Sequence, residues 1–140
     1  MKDPYRSIAW IGIALATSAI LVVQIDRAIA EYLISIDKYD VAFASRKISI
    51  FASATTGFLA FLVGGFIAKH SFVLPASALA AALQILTLRY FSDWFGTSLL
   101  DQLSTSWPAG LAFLLSSIGA AALGMRLRRL LPSQENKAAT

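Results

Sequence analysis

The sequence predicts an all-α membrane protein with four transmembrane helices arranged as two hairpins. Hydrophobic residues make up 57% of the 140-residue chain and charged residues only 14%, whereas about 25% of a soluble domain is charged. The mean hydropathy is +0.67, and four apolar stretches of similar length follow one another along the chain. Because a surface that faces water needs more charge than this, we expect the chain to lie in lipid.

Each apolar stretch has the length of a membrane span, since a hydrocarbon core of ~30 Å takes about 20 helical residues to cross. The predicted spans are about 7–25, 48–68, 72–90 and 107–125. Helices are expected because backbone groups in lipid must be satisfied within their own segment, and the runs lack the alternating polarity of a barrel strand. Residues 1–131 form one transmembrane domain, and 132–140 are predicted to be a disordered cytoplasmic tail.

The first connection has a helical pattern of its own. Its apolar residues recur at steps of three and four, which predicts an amphipathic helix on the outer side of the membrane. This helix either continues the first span or lies along the outer interface, and the pattern fits both. The apolar residues that carry it are Ile25, Ala28, Ile29, Tyr32, Leu33, Ile36, Tyr39 and Phe43.

Basic residues indicate the orientation of the spans. With four crossings, both termini and the loop after the second span share one side of the membrane, and that side carries more Lys and Arg. Under the positive-inside rule this side is cytoplasmic. The last span closes on Arg126, Arg128 and Arg129, which we expect to anchor it to the anionic leaflet. The predicted location is a bacterial-type inner membrane with both termini cytoplasmic.

Small residues recur every four positions on two of the spans. Such ridges let helix backbones approach closely, so they mark helix-packing faces. Either the ridges pack inside the bundle or they form a face for a second copy or a larger membrane protein. Their members are Ala52, Thr56, Ala60, Gly64 and Ala68 in the second span, and Ala112, Ser116, Ala120 and Gly124 in the fourth.

Polar side chains within the spans are few. Gln84 lies midway along the third span with Thr87 one turn later, and the two are candidates for a polar lining or for an interhelical hydrogen bond. Ionisable groups at mid-membrane are the usual sign of an ion or proton pathway. The predicted spans carry none in their middle, which argues against proton-coupled transport and voltage sensing.

No catalytic, cofactor-binding or metal-binding set is evident. The chain has no Cys and a single His, His70, which follows Lys69 at a predicted helix end. A zinc site or a Ser-His-Asp arrangement needs more than this. Nucleic-acid binding is not expected either, because the basic residues are not gathered on a soluble surface.

These features favour a non-catalytic accessory or scaffold subunit that packs against itself or against a larger membrane complex. The expected partners are therefore the lipid bilayer and either a homo-oligomer or a larger membrane protein. The alternative is a small oligomeric channel or transporter for a small solute, with Gln84 and nearby hydroxyl groups lining the path. A membrane enzyme has the least support.

Overall fold

The computed structural model describes residues 4–38, 45–68 and 71–131, and these segments contain helices and turns but no strand. Each of the four helices is long and apolar enough to cross a membrane. The predicted fold class is thereby confirmed: the chain is an all-α, multi-pass membrane protein. The predicted tail, 132–140, lies outside the described residues. The helices are α1 (Pro4–Ser35), α2 (Arg46–Ala68), α3 (Val73–Phe95) and α4 (Leu99–Leu130).

Helix α1 is continuous from Pro4 to Ser35. The amphipathic segment predicted after the first span therefore extends that span, as far as Ser35, rather than forming a separate helix on the interface. A turn that includes Asp37, with a left-handed φ of 54°, follows the helix. Tyr39 and Phe43, the last two apolar residues of the predicted pattern, lie outside the described residues.

A tight turn joins α3 to α4. Gly96 ends α3 in the left-handed conformation, with φ of 63°, and its N–H donates to the Ser92 carbonyl. Glycine adopts this conformation without the steric cost of a Cβ. Two residues later the Ser98 hydroxyl accepts a hydrogen bond of 3.1 Å from the Asp101 N–H and so caps the start of α4. The residues of this turn thus specify an antiparallel hairpin.

Helix α2 is the centre of the bundle. It packs antiparallel against α1 and parallel to α4, while α3 packs mainly against α4 and barely touches α1. The ring of Phe61 on α2 meets that of Phe113 on α4 edge to face, with centroids 6.1 Å apart. Phe72, just before α3, is fully buried as well. Because α1 and α3 make little contact, the bundle is open along one side.

The small-residue ridge of α2 faces α1. Thr56 and Ala60 are fully buried, and Gly64 is buried against the Ser18 hydroxyl. Ala68 is also buried, and Ala52 is half-buried. The Ser18 hydroxyl donates a 3.3 Å hydrogen bond to the Ala60 carbonyl, which fixes the register of the two helices. This ridge thus lies at a contact between two helices of the same chain.

The ridge of α4 lies along α2. Ala120 and Gly124 are buried, while Ala112 and Ser116 are half-buried. A Cβ built on Gly124 would overlap the Leu62 carbonyl oxygen, so the two backbones approach as closely as glycine allows. Gly65, beside the α2 ridge, meets the Ala121 carbonyl in the same way.

The two ends of the bundle differ in what they contain. One end, here the termini side, holds the start of α1 and the end of α4 together with the α2–α3 loop. The other, the Arg46 side, holds the end of α1 and the start of α2. Arg126 and Arg129 are exposed on the termini side, and the Arg128 guanidinium lies 5.2 Å from the centre of the Phe66 ring. Their role in anchoring stays a prediction.

Candidate intramembrane binding site

The carboxylate of Asp26 points from α1 toward α2. Its Oδ1 accepts a hydrogen bond of 2.8 Å from the hydroxyl of Thr56. The position follows from the packing of α1, in which Ala14, Ser18 and Val22 are buried at four-residue steps. Asp26 is the next residue of that series, so it lies on the face that packs against the bundle.

This contact fixes the level of Asp26 along the bundle, although the residue itself stays exposed. Thr56 is ten residues from Arg46, or about 15 Å along α2, and twelve residues from Ala68, or about 18 Å. Thr56 therefore lies near the middle of a helix that just crosses the hydrocarbon core. The Asp26 carboxylate is at the same level, although the sequence places this residue at the end of the first apolar stretch.

A cavity of about 540 Å³ extends from Asp26 toward the Arg46 side. We call it the polar cavity. Asp26 is at its deep end, and Arg46 is at the end near the membrane surface. Ile29, Ala30 and Leu33 form the α1 wall. The remaining polar groups that line it are Ser49, Ser53, Thr87, Gln102, Thr105 and Ser106.

A second cavity of about 310 Å³ lies where α1 and α3 fail to meet, and we call it the α1–α3 cleft. Val22 and Val23 form its α1 side, and Leu86 and Tyr90 are among the α3 residues opposite. The cleft shares Asp26, Ser53 and Thr87 with the polar cavity. Asp26 thus borders both a space that leads toward the Arg46 side and an opening between two helices.

Gln84 and Thr87, the two polar residues predicted from the third span, both line cavities. Gln84 lines the α1–α3 cleft and also a cavity of about 370 Å³ between α3 and α4. Its Oε1 lies 3.0 Å from the place that a Cβ on Gly110 would take, so the absence of a side chain there lets the amide approach. The Thr87 hydroxyl donates to the Leu83 carbonyl at 2.8 Å. No other described residue forms a hydrogen bond with the Gln84 side chain.

The charges at the two ends of the polar cavity are not paired with each other. Within 4–38, 45–68 and 71–131 the ion pairs are Arg27–Glu31 and Arg89–Asp93, both between exposed side chains on a single helix. Asp26 receives only the Thr56 hydrogen bond from the described residues. A carboxylate in a medium of low dielectric attracts a cation strongly when no protein cation neutralises it.

Neither protein-family models, nor curated proteins, nor solved structures match this chain. The geometry of the site provides a carboxylate level with the middle of α2, a space large enough for a small solute, and hydroxyl groups along the wall.

Sequence reasoning missed Asp26 because it placed the residue in the connection beyond the first span. The signal that identifies it is the four-residue series Ala14, Ser18 and Val22, which continues without interruption to Asp26 and Ala30. A series of small and polar residues on one face indicates continued helix packing. The series places Asp26 on the face of α1 that meets α2, where its carboxylate reaches Thr56.

Proposed function

We propose that this protein is a small channel or transporter for a solute with a cationic group, and that Asp26 binds the solute inside the membrane. The observation that carries the proposal is the position of Asp26, at the middle of α2 and on the wall of two cavities. Ionisable side chains at this depth are costly in lipid and mark substrate or ion pathways.

The open side of the bundle supports an oligomeric form of this function. Val23 and Tyr90, at the rim of the α1–α3 cleft, are each 60% exposed. Four helices with an opening between two of them do not enclose a path on their own. A second copy placed over the cleft would complete it, so we propose a homo-oligomer as the working unit.

The proposed location is a bacterial-type inner membrane, with both termini in the cytoplasm. Arg126, Arg128 and Arg129 on the termini side support this orientation under the positive-inside rule. Reporter fusions after Lys69 and after Lys137 should both read cytoplasmic, and a fusion after Asp40 should read external. A cytoplasmic signal at Asp40 would contradict the orientation.

Transport is tested with purified protein in lipid vesicles. Uptake of radiolabelled methylammonium, ethanolamine and γ-aminobutyric acid is measured against protein-free vesicles. We expect at least one probe to enter faster with protein, and Asp26→Asn to abolish that uptake while keeping the Thr56 hydrogen bond. The matched control is Asp93→Asn, an exposed carboxylate outside the cavities. Uptake unchanged by Asp26→Asn, or absent for every probe, would contradict the proposal.

An accessory or scaffold subunit is the second candidate function. It is favoured by the lipid-facing surface of α3, where Ala78 and Ala82 are exposed one turn apart and would let another helix approach closely. Purification from native membrane in mild detergent, followed by mass spectrometry, separates the two candidates. A larger partner in constant ratio favours the subunit, whereas copies of this chain alone favour the transporter.

A further inference from the structure

The polar cavity carries one charge of each sign, on residues at different levels of the bundle. Asp26 lies level with Thr56, and Arg46 begins the same helix, ten residues and about 15 Å away. Both side chains line the same space of about 540 Å³. Neither is paired with the other, and no ion pair or hydrogen bond joins the Arg46 side chain to another described residue.

We infer that the solute bound in the polar cavity is an extended zwitterion, with its ammonium group at Asp26 and its acidic group at Arg46. This inference rests on the proposed function and specifies the class of solute. Hydroxyl and amide groups, among them Ser49, Ser53 and Gln102, line the cavity between the two charges and offer hydrogen bonds to the intervening part of the solute.

The pair of charges selects against other solutes. A simple amine is attracted by Asp26 but repelled by Arg46. A simple carboxylic acid is attracted by Arg46 but repelled by Asp26. An α-amino acid also carries both charges, but a single carbon atom separates its ammonium and carboxylate, whereas Asp26 and Arg46 lie at levels ten residues apart on α2. Only a molecule with separated charges satisfies both ends.

The test is calorimetric titration of the protein in lipid nanodiscs with ε-aminocaproic acid, hexylamine, hexanoic acid and glycine. We expect ε-aminocaproic acid to bind more tightly than the other three. Asp26→Asn and Arg46→Gln should each weaken its binding at least about tenfold, since each removes a charge-assisted contact. The matched controls are Asp93→Asn and Lys47→Gln; Lys47 is exposed and is not among the cavity residues.

The outcomes distinguish this inference from the proposed function. If hexylamine binds as tightly as ε-aminocaproic acid, and Asp26→Asn weakens both while Arg46→Gln weakens neither, the zwitterion is wrong and a cation site at Asp26 stands. If no probe binds, the inference is overturned, and the vesicle uptake experiment decides the proposed function separately. Size-exclusion profiles of the variants establish that each one is folded.

Discussion

At the scale of single residues, the Asp26–Thr56 contact is the one on which the candidate site depends. A charged carboxylate at the centre of a membrane helix costs ~2.5–3.5 kcal/mol even by the milder scales. The Thr56 hydroxyl offsets part of that cost through one hydrogen bond of 2.8 Å. The polar cavity offsets a further part, because Asp26 is exposed on its wall and water or a solute can reach the carboxylate. The Thr56 hydroxyl and the polar cavity together thus lower the cost of placing the Asp26 carboxylate at this level.

The contact predicts that Thr56→Val lowers the stability of the fold. This substitution keeps the shape of the side chain and removes the hydroxyl donor. Because the carboxylate would lose the one hydrogen bond that it receives from the described residues, we expect a destabilisation of about 1.5–3 kcal/mol. Thermal unfolding in detergent measures it. Thr55→Val is the matched control, since the Thr55 hydroxyl donates to the Phe51 carbonyl of its own helix at 2.9 Å. Equal unfolding temperatures for the two variants would refute the role of Thr56.

The close packing of α1 against α2 predicts a second loss of stability. Gly64→Leu places a bulky side chain against Ser18 and Phe72, where even a Cβ lacks room. Overpacking of this kind typically costs ~1–3 kcal/mol, so the unfolding temperature should fall. Gly119→Leu is the same substitution at a glycine with open space around it, and leucine favours a helix more than glycine does. If both variants unfold at the same temperature, α1 and α2 are not closely packed at Gly64.

At the scale of helices, α1 is shifted along the bundle axis relative to α2. Its uncharged residues end near Ile25, yet Asp26 lies beside the midpoint of α2, so α1 is displaced toward the termini side. The periodicity of the sequence predicted a helix continuing past Ile25. It could not give the depth of that helix, because depth depends on which α2 residues Ser18 and Asp26 meet. Contacts between residues that are far apart in the sequence produce no periodic pattern in it.

Cross-linking checks this register. The chain has no native Cys, so the double variant Asp26→Cys with Thr56→Cys provides a single pair. Because the parent side chains are in hydrogen-bond contact, we expect mild oxidation to join them in a disulfide within the monomer. The control pairs Asp26→Cys with Phe58→Cys, since Phe58 is 40% exposed and lines no described cavity. Cross-linking of the control pair alone would mean that α2 is rotated or shifted.

At the scale of the whole molecule, composition and the length of apolar runs were enough to predict four helices in a membrane. The small-residue ridges indicated close packing but not its partner, because the same spacing suits an internal contact or a second copy. In the structure Gly64 and Gly124 lie between helices of one chain. The candidate site was not predictable in this way, since the walls of the polar cavity come from all four helices and meet only in the folded bundle.

The central claim is that the polar cavity gives a solute access to Asp26 from the Arg46 side. The most direct measurement is modification of single-cysteine variants by a small, charged, impermeant thiol reagent added from that side of oriented vesicles. Asp26→Cys and Ser53→Cys should react readily, because a thiol needs water to ionise. Phe58→Cys, at nearly the same depth but outside the described cavities, should stay unreactive. If Cys at 26 is as unreactive as Cys at 58, Asp26 is sealed from water and the proposed site does not exist.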